Sequence, residues 1–342
     1  MIMIEAHILD SWTRFDQRDS PLFTVSMIVG GIGAPLFLFL AGVSVSLSAA
    51  SKFRRTGDAR FASRAVVRRG FQIFGLAFLF RLQACILSWG PWRTLLKVDI
   101  LNIMGPGIIA AGAMWGWFRS TGGRCVAFAA ATLGMALLTP PIRATPILNA
   151  LPDPIEAHIR PRPGYTTFAL FPWAGFVFAG AVPGVLLADA VSTSAERALI
   201  IRITLAGILL TLGAFAASFL PSPFARSDFW TSSPSYFLLR TGILTTAIGA
   251  AYAWEHRPGG DRRWSPLQQL GRTSLFIYWI HVEMIYGLAV RPLHKSMSLP
   301  AAWFAVFAFA AFMLVCSVAK ERIARRLKAR SSAAHKSQSA DF

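Results

Sequence analysis

The chain reads as an all-α, polytopic integral membrane protein, and three observations carry that reading. Apolar stretches recur that are each long enough to cross a bilayer, among them Gly31 to Ala50, Gly70 to Ser88, Ile100 to Phe118 and Ile200 to Leu220. A hydrocarbon core takes roughly 20 apolar residues as a helix. The stretches are continuous rather than alternating, and only helices or closed barrels satisfy the backbone in lipid, so helices are expected. Charged residues make up 15% of the 342 residues, against 54% hydrophobic, where a soluble domain carries about 25% charge. The basic residues behind the net charge of +18 cluster between the apolar stretches, as positive-inside topology requires.

In chain order the first apolar fragment is Met1 to Leu9, too short to span and read as a truncated first helix. Gly30-Gly31-Ile32-Gly33 opens the next helix and is not a phosphate cradle. Nine full spans are expected near residues 31–50, 70–88, 100–118, 124–140, 167–188, 200–220, 236–254, 273–290 and 300–319. Gly105-Pro106-Gly107, Pro172 and Pro183 interrupt two of these apolar runs, with no repeat around them.

Loop charges bound each span and orient it. The loop from Lys52 to Arg69, the links at Arg119/Arg124 and Arg197/Arg202, the group Arg257, Arg262, Arg263 and Arg272, and the tail from Lys320 hold 22 basic residues. The alternating loops 10–30, 89–99, 141–165, 221–235 and 291–299 hold 10. The rich set is therefore expected in the cytoplasm together with the C-terminus. A multi-pass protein of a bacterial inner membrane is the expected setting. One transmembrane domain covers 1–320, and 321–342 is expected to be a basic, disordered cytoplasmic tail. No loop is long enough for a soluble core. On this topology Met1 to Leu9 is the outer end of a helix rising from the cytoplasm, so the chain is expected to begin in mid-helix. No signal-peptide pattern surrounds it. Basic residues placed by topology also argue against nucleic acid as a partner. Cys85, Cys125 and Cys316 lie in or beside apolar spans and are expected as buried free thiols.

Ionisable residues inside a membrane cost at least about 2.5 kcal/mol each, so each is a candidate for function. Arg81 interrupts the run from Gly75, with Gln83 nearby; it binds an anionic substrate group or pairs with a carboxylate on another helix. Arg240 lies near the outer end of its helix, where it snorkels or binds an anion. His281 and Glu283 are two residues apart, about 200° around a helix, so they face different neighbours. His281 is a base or a hydrogen-bonded core histidine, and Glu283 is expected to pair with Arg81 or Arg240. His7 lies at the outer end of the first helix, just before Asp10, Ser11 and Trp12. A neutral imidazole there can take a proton from a hydroxyl or amine. Asp16 and Asp19 in the following loop orient His7, hold a substrate amine, or are simply solvated. No His-Glu-x-x-His, paired Cys-x-x-Cys, P-loop or Gly-x-Ser-x-Gly pattern occurs, so no metal is expected.

Four segments in order resemble the heparan-α-glucosaminide N-acetyltransferase-like membrane family. They are Ala34-Pro-Leu-Phe-Leu-Phe-Leu-Ala-Gly-Val-Ser-Val-Ser-Leu-Ser, Asp99-Ile-Leu-Asn-Ile-Met-Gly, Phe171-Pro-Trp-Ala-Gly-Phe-Val-Phe-Ala-Gly-Ala-Val-Pro-Gly and Leu270-Gly-Arg-Thr-Ser-Leu-Phe-Ile-Tyr-Trp-Ile-His. The likeness extends over about residues 1–290. The wider transmembrane acyltransferases, the acyltransferase-3 family included, carry in their first helix an arginine, ten residues and a histidine. His7 resembles that histidine, and the arginine position falls upstream of residue 1. The lysosomal members place a reactive histidine in the first luminal loop, shortly before the helix-two proline. No histidine stands just before Pro35; Asp16, Asp19 and Ser20 are the polar residues considered in its place.

The resemblance implies transfer of an acyl group, acetyl in the family, from cytoplasmic acetyl-CoA to a hydroxyl or amine of a glycan on the outer side. Its co-substrates would be the acyl-CoA donor and the glycan acceptor, with the lipid bilayer as solvent and an oligomer compatible with it. On that implication His7 is the base, Asp10, Asp16 or Asp19 orients it or the acceptor, and Arg240 or Arg81 stabilises negative charge. Arg64, Arg68, Arg69 and above all Arg272 would meet the CoA phosphates. The alternatives from the residues themselves are a transporter or flippase for an anionic lipid or sugar, and a non-catalytic relative.

Overall fold

The computed structural model describes residues 1–87, 91–190, 192–257 and 264–338, with side chains to Leu327. Ser88, Arg262 and Arg263, which enter the expectations above, lie outside the described residues. The chain is all-helical, with no strand among the described residues. Among the described residues seven stretches are long and apolar enough to cross a membrane: Pro21–Thr56, Ala59–Leu87, Ile100–Trp117, Thr121–Ala144, Leu170–Ala188, Thr193–Ala217 and Leu299–Leu327. They make this an integral membrane protein by length and composition.

Two of the nine expected spans do not reach that standard. Residues 236–254 fall in a 22-residue helix, α10 below, whose Arg240, Thr241, Thr245 and Thr246 dilute its apolar content. Residues 273–290 are α-helical only over Ser274–Tyr286; Gly287 takes an extended conformation and a 3-10 turn over Leu288–Leu293 follows, with Pro292 inside it.

The chain forms two compact units, 1–31 with 261–342, and 32–260. The first holds α1 (Ile2–Trp12), α2 (Pro21–Gly30), and, after the second unit, α11 (Pro266–Arg272), α12 (Ser274–Tyr286) and α13 (Leu299–Gln338). Helix α13 continues through residues 321–338, part of the stretch 321–342 for which the sequence predicts a disordered tail. Ser20 caps α2 by accepting from Phe23 N, with Pro21 at the first helical position, where its missing N–H costs nothing. The two ends of the chain share one core, in which Ile4, Ile8, Leu9 and Trp12 pack with Ile277, Ile285, Leu299, Val306 and Met313.

Carbonyls in the last turn of a helix have no partner within it. In α1 they are met by a distant loop: Lys295 N donates to Ser11 O (3.0 Å) and Met297 N to Trp12 O (2.9 Å), while Arg14 N returns to Met297 O (2.9 Å). At the end of α12 the Ile285 carbonyl accepts from Trp12 Nε1 (3.1 Å), Ser11 Oγ (3.4 Å) and His294 Nε2 (3.2 Å). These bonds hold the end of α1 against the end of α12.

The second unit runs α3 (Gly33–Thr56), α4 (Ala59–Leu87), α5 (Ile100–Trp117), α6 (Thr121–Ala144), α7 (Asp153–Ile159), α8 (Leu170–Ala188), α9 (Thr193–Ala217) and α10 (Pro234–Glu255). Its main pairings are α3 with α8, α4 with α5, α6 with α8 and α9 with α10. Lipid gives packed helices no hydrophobic drive, so small residues that let backbones approach decide the contacts. Gly42 lies against the Val177 backbone and Gly180 against the Phe39 carbonyl, and a Cβ at either would overlap that backbone. The face of α9 away from α10 shows Leu205, Leu209 and Leu212 outward, a surface that water would penalise and lipid does not.

Candidate active site

The first unit brings together two histidines 274 positions apart. His7 sits half-buried on α1 and His281, 2% exposed, on α12. Their rings stack with centroids 5.2 Å apart and planes 10° from parallel. Tyr286 presents its ring to His7 at 5.4 Å and Tyr278 to His281 at 5.9 Å, both edge to face.

The hydrogen bonds assign the proton on His281. Its Nδ1 lies 2.7 Å from Ile277 O, one turn back on the same helix. A carbonyl only accepts, so Nδ1 carries the hydrogen and Nε2 keeps the lone pair. That Nε2 is buried and has no hydrogen-bond partner among the described residues. It is a lone-pair nitrogen held in a fixed orientation.

Asp10 joins this site through Tyr286, whose hydroxyl donates to Asp10 Oδ2 at 3.5 Å. The same carboxylate pairs with Arg18 (3.4 Å) and lies 3.9 Å from Lys295 Nζ. Both basic side chains also donate to the Asp10 carbonyl. Burial pushes the Lys295 ammonium below its ordinary range, against the Asp10 charge that favours it. Asp16 is exposed and paired with Arg14 at 3.1 Å, and Asp19 is exposed. Asp10, by contrast, reaches the His7 ring through Tyr286.

Arg272 ends α11 and is exposed, and its charge acts on Glu321. Beside it a buried polar knot forms, with Thr273 Oγ1 2.6 Å from Ser317 Oγ and Gln269 Nε2 donating to Ser317 Oγ at 3.0 Å. Glu283 lies half-buried on α12, two residues beyond His281.

The second unit holds the other two arginines. Arg81 pairs with Asp99 at 2.8 Å, the side chains 14% and 13% exposed. Asp99 is also the N-cap of α5, accepting from Ile100 N (2.7 Å), while Asn102 Oδ1 accepts from Asp99 N (3.0 Å). Its carboxylate thus neutralises a cation and caps a helix at once. Arg240 is 7% exposed and has no carboxylate partner among the described residues. Its guanidinium instead lies over Tyr236 at 4.0 Å, with Trp173 and Phe176 at 5.6 and 5.7 Å, and its Nε makes no hydrogen bond. A buried cation among π faces can take an anion without displacing a salt bridge.

Tyr278, Tyr286, Asp99 and Lys295 were not singled out from sequence. Spacing could have found two of them: Tyr278 is three positions before His281 and so on its face, and Asp99-x-x-Asn102 is a capping-box pattern. Among the described residues no group of three or more His, Cys, Asp or Glu side chains could hold a metal ion. Cys85, Cys125 and Cys316 are half-buried.

The family model described as heparan-alpha-glucosaminide N-acetyltransferase, catalytic, matches residues 1–214. His7, Asp10, Asp16, Asp19 and Arg81 lie within the match, whereas Arg240, Arg272, His281 and Glu283 lie beyond it. No curated protein matches the chain.

Proposed function

Since the chain belongs to the heparan-alpha-glucosaminide N-acetyltransferase catalytic family, we propose that it transfers an acetyl group from acetyl-CoA to a hydroxyl or amine of a glycan or related acceptor at the outer side of the membrane. The observation that carries the reading is the stacked His7–His281 pair with its unsatisfied Nε2. A transferase of this kind needs a base for the acceptor, and family membership alone does not supply one.

In the proposed reaction the imidazole pair takes the proton of the acceptor O–H or N–H. The acceptor atom attacks the thioester carbonyl carbon, its C–O or C–N bond forms, and the C–S bond breaks. The sulfur leaves as the CoA thiolate and is protonated. Half-buried His7 is the ring reached from outside, and His281 is the ring whose tautomer is fixed. Once one ring carries a proton, a second charge on its neighbour is opposed by repulsion, so the pair acts as a single base. Asp10, through Tyr286, orients His7 or the acceptor. Arg272, exposed at the end of α11, suits the CoA phosphates. The basic loop face would draw such an anion in.

Arg240 favours a second reading, passage of an anionic lipid or sugar, because it is a buried cation with no carboxylate partner among the described residues. One experiment separates the two. The protein in sealed vesicles receives acetyl-labelled acetyl-CoA on the basic-loop side and a glycan acceptor on the other. His7-dependent label on the acceptor is expected, with His7→Ala lowering the rate by at least about 100-fold. Transfer at the unaltered rate in a folded His7→Ala protein would remove the imidazole pair from the chemistry, and label that never moves would favour transport.

A further inference from the structure

Three arginines in residues 141–165, a loop of the basic-poor set, surround a cavity of about 310 Å³ lined by Arg143, Glu156, Arg160, Pro161 and Arg162. That volume is at the small end of ligand pockets, roughly 300–1,000 Å³. Positive-inside topology concentrates basic residues in the opposite loops, so it does not account for this cluster.

The three guanidiniums are not equivalent. Arg160, 8% exposed, is fully engaged: Nε donates to Glu156 Oε1 at 2.6 Å, Nη2 to Asn149 Oδ1 at 2.6 Å, and Nη1 to the carbonyls of Arg143 (3.2 Å) and Thr145. Arg162 pairs with Asp153 and, through Nε, with Glu156 Oε2 at 3.1 Å. Glu156, 1% exposed, is thereby spent on two arginines. Arg143 is the one left over. Its Nε is buried without a hydrogen-bond partner, it has no carboxylate within ion-pair distance among the described residues, and Asp228 acts on it only from farther off. The cavity lining carries three positive charges against one negative, and the carboxylate outside it, Asp153, offsets one more.

We infer that this cavity binds a tetrahedral oxyanion, a phosphate or sulfate group, with Arg143 as the direct ligand, Arg162 as a second donor at the rim, and the Arg160–Glu156 pair as the frame that holds the wall in place. A guanidinium fork matches two oxygens of such a group, and a group with more than two acceptor oxygens can engage two forks where a carboxylate satisfies one. The inference concerns only the second unit and stands or falls independently of acyl transfer.

Thermal unfolding of the full-length protein in neutral detergent tests it. Sodium phosphate and sodium sulfate are titrated against sodium chloride at matched ionic strength. The midpoint is expected to rise with either oxyanion beyond its response to chloride. Arg143→Ala should weaken the apparent affinity at least about tenfold. Arg162→Gln at the exposed rim should weaken it less, and Arg119→Ala, exposed elsewhere, should leave it unchanged. A wild type that responds to chloride and oxyanions alike overturns the site, as does an undiminished oxyanion response in Arg143→Ala. If Arg143→Ala does not fold, an undiminished response in Arg162→Gln overturns it. Nanodiscs of phosphatidylcholine with and without phosphatidylglycerol identify the source of the oxyanion. Arg143-dependent stabilisation by phosphatidylglycerol assigns the site to a lipid headgroup, and stabilisation by the inorganic ions alone assigns it to a soluble oxyanion.

Discussion

Arg81 decides whether an intramembrane cation in this chain is a substrate ligand or a structural part. At 2.8 Å from Asp99, the Coulomb attraction is about 6 kcal/mol at an effective dielectric of about 20, and about 1.5 in bulk water. Both side chains are mostly buried, so the first value is the nearer gross figure, and desolvation of both charges offsets much of it. Removing one partner leaves the other buried and uncompensated, which costs about 3–5 kcal/mol. Arg81→Met should therefore lower stability by about 3 kcal/mol or more. Asp99→Asn keeps an oxygen for the cap of α5 and removes the charge. The double variant Arg81→Met/Asp99→Asn should recover at least half of the loss, because no buried charge then remains. The assay is reversible unfolding in mixed micelles, with the interaction energy taken from the four-protein cycle. Wild-type stability in Arg81→Met, or a double variant no better than Arg81→Met, would refute a structural pair and return Arg81 to the substrate path.

His281→Asn should fold normally and lose at least about 100-fold in acetyl transfer; if the two rings act as one base, adding His7→Ala lowers the rate no further, which single-turnover labelling would show. Arg240→Met should match or exceed wild-type stability, since a buried cation without a carboxylate is exchanged for an apolar side chain; a clear fall in Tm would mean that its contact with Tyr236 holds the fold. Gly180→Leu should abolish accumulation of folded protein because its side chain meets the Phe39 backbone, while Gly134→Leu, with open space around it, should be tolerated; size-exclusion profiles of the two compare them directly.

Helical class and membrane setting were legible because hydropathy is a local, additive property of consecutive residues. Span count was less so, for reasons visible at particular positions. The apolar content from Leu275 to Val290 promises a span, but a hydropathy window does not see the backbone leave the helix at Gly287. Arg81 shows a second limit. A residue inside a membrane must find a partner, yet the partner, Asp99, stands at the start of the next helix, 18 positions on, where no local spacing ties it to Arg81. Asp16 and Asp19 were weighed with Asp10 because all three follow His7 closely. Only Asp10 shares the helix with His7, three positions on, and only that spacing places two side chains on one face.

The pairing of His7 with His281 was not legible at all, and its cause is topological. Nothing local links residue 7 to residue 281; the link is the Ile285 carbonyl, which the end of α12 leaves unsatisfied and which Trp12 and Ser11 fill. That anchor sets the height of α1 against α12, and one turn back from it on each helix lie the two imidazoles. The consequence reaches the family match, which ends at residue 214 and so contains one ring of the pair. If the pair is the base, the chemistry of this chain is divided between a matched first helix and an unmatched late one, and the matched segment alone would hold His7 without the ring it stacks on. The helix that most resembles a short, failed span is then the one that completes the site, and its early stop at Gly287 supplies the free carbonyl that holds the two halves in register.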